Sequence, residues 1–401
     1  TTRSAWQLPL KGVAKHMSLV DQSLIDELIK FRKMLHQNPE LAFDVDNTSK
    51  LIAKELHEAG LEVTTGVGRN SLVASLNKGS GVNPIGFRAD MDALPITEVN
   101  TFGHASISPG KFHGCGHDGH SAMLLGAAKL LAQANDLERE IHFIFQADEE
   151  NGNGARAMIE AGLFDRFQMD AVYGLHNLPG LAVGSFAINP GAFCAFEDNF
   201  EISVLGKGGH SSMPEKVIDP IVIGAKIVCD LQSIVSRTIA PSEHAVISVT
   251  DFRTDGARNV IATEVNITGD CRGFEEHVSE SIRNQLEAIV RNNCDTYGAK
   301  HRFHYSTSFV PLINSPEHAA ICAAVANALP RATADAQYGR VSFSEDFAQM
   351  LMCKPGAYIL MGNGEGHDNY AQPLHNPSYD FNDQALGFGI EYWCAMARHL
   401  T

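Results

Sequence analysis

A chain of 401 residues exceeds the usual size of a single hydrophobic core, so two domains are expected. Hydrophobic residues make up 44% and charged residues 19%, the balance of a folded globular protein rather than a disordered one. With 31 basic and 47 acidic residues the net charge is −16, and no Lys/Arg-rich block stands ready to neutralise phosphates, which argues against nucleic acid as the main partner.

The eight cysteines are scattered without a C-x-x-C pair, the pattern of reduced thiols in the cytoplasm rather than of a disulfide scaffold. No apolar run reaches the roughly 18 residues of a membrane span. The N-terminal TTRSAWQLPLKGVAKHM lacks the uninterrupted apolar core of a signal peptide. A cytoplasmic protein without a membrane partner is expected.

In chain order, Leu19 to Leu35 carries apolar residues at helical spacing, and Asn38-Pro39 stops it. A second helix, Asn47 to Ala59, ends at Gly60. The runs LEVTT, SLVASL and NPIGFRADMD read as strands. Ser121 to Ala134 reads as a helix, EIHFIFQADEE as a buried strand ending in carboxylates, Gly154 to Ala161 as a helix and DAVYGLH as a strand. This alternation predicts an α/β/α layering around a largely parallel sheet, with ligand sites beyond the carboxyl ends of its strands.

The character changes near Phe193. A strand (Phe196 to Leu205), a helix (Val217 to Ser236), two strands (Ala245 to Phe252 and Val260 to Cys271), a helix (Glu275 to Tyr297) and a strand (Lys300 to Ser306) follow in turn. That βαββαβ order is ferredoxin-like. After Pro311 the α/β character returns with a helix around His318 to Ala328, the strand GAYILMG and a final helix, Gln384 to His399. Residues 1–192 and 308–401 are therefore read as a catalytic domain, and residues 193–307 as a smaller domain inserted into it.

Chemistry gathers at a few edges. GCGHDGHSA, Gly114 to Ala122, sets Cys115 two residues from His117, and the dipole of the helix expected near Ser121 would favour a thiolate. A buried small cysteine among solvated histidines fits the same spacing. In FQADEENGNG the adjacent Glu149 and Glu150 follow an apolar strand, so one carboxylate can bind metal while the other serves as base. His176 ends a strand in GLHNLPG, and His375 precedes Asn-Pro in PLHNPSYDFND. Cysteine, histidine and glutamate together form a mixed donor set suited to zinc and tolerable for manganese, cobalt or nickel. Five such donors exceed one tetrahedral ion and point to a pair of ions.

RADMDALPI carries Asp90 and Asp92 at another strand end, where a carboxylate can orient a ligand histidine. In the inserted domain GKGGHSSMP offers His210 as a donor to a developing oxyanion. Asn259 and Arg272 offer an amide and a guanidinium, the groups a site needs to hold an α-carboxylate, while a loop histidine and two surface polar residues fit these segments equally.

Taken together, these motifs resemble the amidohydrolase branch of the aminoacylase and carboxypeptidase-G-like metallopeptidase superfamily. That branch holds hippurate hydrolases, N-acyl-amino-acid amidohydrolases and auxin-conjugate hydrolases. The matching segments run in order from RKMLHQNPELAF, through FRADMDALPI, KFHGCGHDGHSAMLLGAAKLL, FQADEENGNGA, GLHNLPG, GKGGHSSMP, ARNVIATEV and SEDFA, to LHNPSYDFND, from Arg32 to Asp383. The resemblance implies a two-domain fold whose inserted domain is both lid and dimerisation surface, hence a homodimer or higher homo-oligomer. It implies Cys115, His117, Glu150, His176 and His375 as ligands of two divalent ions, with Cys115 bridging and Glu149 as general base. It further implies that His210, Asn259 and Arg272 contact substrate, His210 reaching across to a partner subunit. Phe112, Gly114 and Ala147 stand where the branch usually has Met, Ala and Pro, and none of these departures removes a ligand.

The expected activity is metal-dependent hydrolysis of the amide bond of a small N-acyl amino acid, hippurate-like or related, with zinc, or manganese, cobalt or nickel. Deacetylation of N-acetyl-diaminopimelate or N-acetylcysteine is the alternative. A cysteine hydrolase built on Cys115 and His117 would leave Glu149, Glu150, His176 and His375 unexplained. A non-catalytic binding protein on the same fold would normally lack a ligand or the base.

Overall fold

The computed structural model describes residues 20–77, 83–137, 139–366 and 368–399. The N-terminal stretch TTRSAWQLPLKGVAKHM and Leu19 of the expected first helix lie outside the described residues. The chain divides into two compact units. The first comprises Thr1–Gly191, Ile313–Gly339 and Asp346–Thr401, and the second Ala192–Leu312 and Arg340–Glu345.

An eight-stranded sheet organises the first unit. Its strands run from edge to edge as Glu62–Thr65, Leu72–Asn77, Glu140–Gln146, Ile85–Asp90, Ala171–Pro179, Gly356–Gly364, Ser185–Ala187 and Thr333–Asp335. The central strands Glu140–Gln146, Ile85–Asp90, Ala171–Pro179 and Gly356–Gly364 are mutually parallel. They read as near-continuous apolar runs because helices cover both faces of a parallel sheet, and Ile85–Asp90 and Gly356–Gly364 are buried throughout. Antiparallel pairings appear on either side, Leu72–Asn77 against Glu140–Gln146 and Gly356–Gly364 against Ser185–Ala187.

Parallel register brings the carboxyl ends of three strands to one edge. Asp90 lies opposite Gln146, which leads into Glu149 and Glu150, while His176 and Asn177 sit near the end of Ala171–Pro179. Helix His117–Gln133 starts at the same edge and packs its apolar side into the core through Met123, Leu124 and Leu131. Each such fully buried side chain contributes about 1.5–3 kcal/mol. The helix begins at His117, earlier than the expected Ser121, because Gly116 caps it in the left-handed region at φ 91°.

In the second unit four antiparallel strands run in the order Ala245–Thr254, Glu264–Gly273, Phe196–Leu205, Lys300–Phe309. Phe200, Ile202 and Val204 pack with Ile227 of helix Pro220–Ser233 and with Leu286 and Val290 of helix Glu276–Tyr297. The expected strand Val260 to Cys271 is two elements. Val260–Ile261 pairs with Gly209–His210, and the sheet strand begins at Glu264. Residues Arg340–Glu345 belong here because Val341 N–H donates to the Phe193 carbonyl at 2.9 Å and Ala195 N–H to the Phe343 carbonyl at 3.0 Å.

Candidate metal centre

Cys115, His117, Glu149, Glu150, His176 and His375 converge in the first unit. The donor atoms of Cys115, His117 and His176 lie within 4.8 Å of one another, as do those of Cys115, Glu150 and His375, and those of His117, Glu149 and Glu150. Cys115, His117 and Glu150 each belong to two of these groups, so the three sets overlap into one cluster. Its Sγ is 3.3 Å from His176 Nε2. His117 Nε2 lies 3.9 Å from Glu150 Oε1 and 4.0 Å from Glu149 Oε2, and His375 Nε2 lies 3.4 Å from Glu150 Oε2.

Two of the rings are aimed by their other nitrogen. His117 Nδ1 donates to the Asp92 carbonyl at 2.9 Å, and His176 Nδ1 to the Asn177 carbonyl at 2.7 Å. Nε2 of each ring then faces the centre, the atom by which a metal would take it. The carboxylate of Asp92 lies 3.5 Å from His117 Nδ1 through Oδ1, and its two oxygens accept the backbone N–H groups of Glu149 and Glu150. The aspartate carboxylate that sequence reasoning expects beside the histidine is present there, joined by the Asp92 carbonyl, and it also shapes the acidic turn.

The donor set passes a test of fit for a cation. Among the described residues, His117 Nε2 and Glu150 Oε1 are buried with no hydrogen-bond partner. Leaving such atoms unsatisfied costs about 1–3 kcal/mol each, and a divalent ion coordinated here would satisfy both. Burial pushes the Glu150 carboxyl up to about 8, with Asp92 and Asp90 adding to the rise against His117. Burial pulls His117 down, but Asp90, the hydrogen bond to Asp92 and the Glu150 charge outweigh it and raise the ring to about 10. A surplus of carboxylate charge thus holds a proton where a cation would be held. Burial lowers His176 and His375, keeping both imidazoles neutral for coordination.

Behind the donors lies a buried polar layer of which sequence reasoning singles out only Asp90. His120 donates through Nδ1 to Asp90 Oδ1 at 2.6 Å and contacts Asn177 Oδ1 through Nε2 at 2.7 Å, so both its nitrogens are engaged. The Arg88 guanidinium binds Asp90, Gln146 and Asp346. A lone arginine in the apolar strand IGFRAD is the available signal, since a charge is buried only where partners await it. Two backbone positions are strained toward the same end. His375 adopts φ 66° while its N–H donates to the Gly114 carbonyl at 2.8 Å, and Asp148, just before the acidic pair, adopts φ 57°.

The second unit holds the remaining expected site residues. His210 pairs with Val260 across a two-residue ladder, and Ser211 N–H donates to the Asn259 carbonyl, so His210 and Asn259 are neighbours. Ser212 N–H donates to His210 Nδ1 at 3.1 Å, which leaves Nε2 carrying the proton. Arg272 stands apart on strand Glu264–Gly273, bound to Glu197 at 2.7 Å, Asp270 at 2.8 Å and Ser344 at 2.9 Å.

Comparison with known proteins identifies the lineage. The model of the peptidase family M20/M25/M40 matches residues 86–399. The chain belongs to this family. It is 35% identical over 384 residues to a hippurate hydrolase of Campylobacter jejuni, covering 95% of this chain and 99% of the relative. It is 41% identical over 301 residues to an N-acyl-L-amino acid amidohydrolase of Geobacillus stearothermophilus, covering 75% of this chain and 80% of the relative. Among solved structures, a dinuclear metal-binding peptidase of the M20 family from Bacillus subtilis superposes with a TM-score of 0.83 at 29% identity, covering 95% of this chain and 99% of that one.

Proposed function

We infer that this chain is a metal-dependent amidohydrolase that cleaves the amide bond of small N-acyl amino acids, releasing a carboxylic acid and a free amino acid. The observation that carries this reading is the acidic turn: Glu149 and Glu150, fixed by one aspartate, face a buried thiol and imidazole set with orphaned donor atoms. Cys115, His117, Glu150, His176 and His375 would hold two divalent ions, zinc suiting the thiolate best, with manganese, cobalt or nickel as alternatives. Such ions, when bound, supply the Lewis acidity that makes water acidic and an acyl carbonyl electrophilic.

The chain's own groups then carry the protons. Glu149 takes one from the attacking water and returns it to the leaving amine. Glu150 serves as a ligand and not as the base, since its carboxylate lies between His117 and His375. To the second unit we assign substrate contacts: His210 as an Nε2–H donor to the oxyanion, and Asn259 and Arg272 as partners of the α-carboxylate. We also read that unit as ferredoxin-like, from its strand order, and as the lid and dimerisation surface of a cytoplasmic homo-oligomer. The relatives named hippurate hydrolase and N-acyl-L-amino acid amidohydrolase support a hippurate-like or related N-acyl amino acid as substrate, and one named N-acetylcysteine deacetylase keeps deacetylation as the alternative.

The test is metal content by elemental mass spectrometry on protein purified without chelator, followed by hydrolysis of a panel of N-acyl amino acids. One to two equivalents of a divalent ion, lost in Cys115→Ala together with turnover, is expected. Protein that neither contains nor takes up such ions would sink the reading.

A further inference from the structure

Arg32 belongs to none of the donor groups, yet it binds two of the four chain segments that carry them, that of Cys115 and His117 and that of His375. Its Nη1 donates to Asp118 Oδ2 at 3.0 Å and to Asp380 Oδ1 at 3.1 Å, and its Nε lies 2.7 Å from Asp383 Oδ1. The side chains of Arg32 and Asp118 are fully buried. Asp118 follows His117 in the first turn of helix His117–Gln133, while Asp380 and Asp383 close the segment that opens with His375.

The same two segments also meet elsewhere, with Phe381 packed against Gly119. His375 N–H donates to the Gly114 carbonyl, and the Tyr379 hydroxyl lies 2.5 Å from Asn177 Nδ2 against Gly116. Those are contacts of neutral groups; Arg32 adds a charged one. Two carboxylates accept from Nη1 and a third stands beside Nε as an ion pair, a spread of charge along a planar guanidinium that a single ammonium does not match. His375 is half exposed (51%) and its backbone is left-handed, so its place depends on the anchors of its segment.

We propose that Arg32 is a positioning residue for the metal centre: by holding Asp118 against Asp380 and Asp383 it sets the spacing between His117 and His375. This inference rests on the metallohydrolase reading. It differs from a plain contribution to stability in one consequence. The fold can survive a weaker clamp while the donors drift apart, and metal affinity then falls in protein that is still folded.

The test is a Co²⁺ titration of metal-free wild type and Arg32→Lys, full chains, followed by visible and near-ultraviolet absorption, with thermal unfolding of both metal-free proteins. Arg32→Lys is expected to unfold cooperatively but to bind Co²⁺ about 10–100-fold more weakly, the usual effect of losing a group that orients ligands, and with altered d–d bands. Wild-type affinity and spectrum in Arg32→Lys would overturn the proposal even if its unfolding temperature dropped, because Arg32 would then act on the fold alone. Should Arg32→Lys fail to fold, Asp380→Asn, at the carboxylate that accepts from Arg32 Nη1 at 3.1 Å, tests the same clamp. Weakened Co²⁺ binding is expected there too, and unchanged binding overturns the proposal. A wild type that takes up no Co²⁺ overturns the metallohydrolase reading and this inference with it, a result told apart by needing no variant.

Discussion

Asp92 turns its carboxylate onto the backbone of Glu149, Oδ1 accepting that N–H at 3.1 Å while Oδ2 takes the Glu150 N–H at 3.2 Å. One side chain thereby sets the turn from which both acidic groups project, and its carbonyl aims His117. In Asp92→Asn one acceptor becomes a donor facing an N–H, so the turn must shift. We expect kcat to fall about 10–100-fold with the protein still folded. Steady-state kinetics on an N-acyl amino acid checks this, and an unchanged kcat would remove Asp92 from the site's support.

Glu149→Gln keeps the shape of the side chain and removes its basicity. Loss of a general base costs about 10²–10⁴-fold in rate, and metal content should stay at the wild-type level because Glu149 is not assigned as a ligand. Elemental analysis beside the rate measurement separates this from loss of the ions. Retained turnover would return the base assignment to Glu150.

Gly116 admits no side chain. A Cβ there would stand 2.4 Å from Asn177 Oδ1 and 2.6 Å from the Tyr379 hydroxyl, on a backbone at φ 91°. Gly116→Ala should cost about 1–3 kcal/mol in backbone strain alone and displace Cys115 and His117, on either side, from their common centre. Reduced metal stoichiometry together with a lowered unfolding temperature is the expected result.

His36 lies between Asp118 and Glu98, with Nδ1 at 2.9 Å from the first and Nε2 at 3.2 Å from the second. Burial opposes its charge, but the hydrogen bonds to Asp118 and Glu98 prevail and raise it to about 9 from 6.5. A folded-state value above the unfolded one gives stability that is complete below pH 6.5 and lost as pH rises through about 9. The amount is on the order of 3 kcal/mol. Unfolding temperatures of the metal-free protein should therefore decline across that window, and His36→Gln should flatten the decline. Parallel pH profiles for the two proteins would refute the role.

Most of the candidate donors were legible because they sit near the ends of elements: Cys115 and His117 at the start of a helix, Glu149 and Glu150 after an apolar strand, and His176 three residues before the end of Ala171–Pro179. Local spacing reports such places. It does not report what a distant segment contributes. Arg32 and Asp118 are 86 positions apart, and Arg88 and Asp346 are 258 apart, so neither partnership leaves a mark in any window of sequence. The early start of helix His117–Gln133 is hard to read because glycine usually breaks a helix, whereas Gly116 caps one from the left-handed region. The break in the expected strand Val260 to Cys271 is hidden for a related reason: its apolar alternation continues across residues that pair with a different partner, Gly209–His210.

Arg340–Glu345 makes the second unit discontinuous along the chain. The polypeptide passes from one unit to the other four times, after Gly191, Leu312, Gly339 and Glu345. Residues 192–312 taken alone would leave Phe193 and Ala195 without the backbone partners that Val341 and Phe343 supply. The unit is thus no portable cassette that could be lifted from one enzyme and spliced into another at a single seam. Exchange between relatives would need two coordinated grafts, and a library that swaps only the longer piece should yield mostly chains whose smaller unit is incompletely folded.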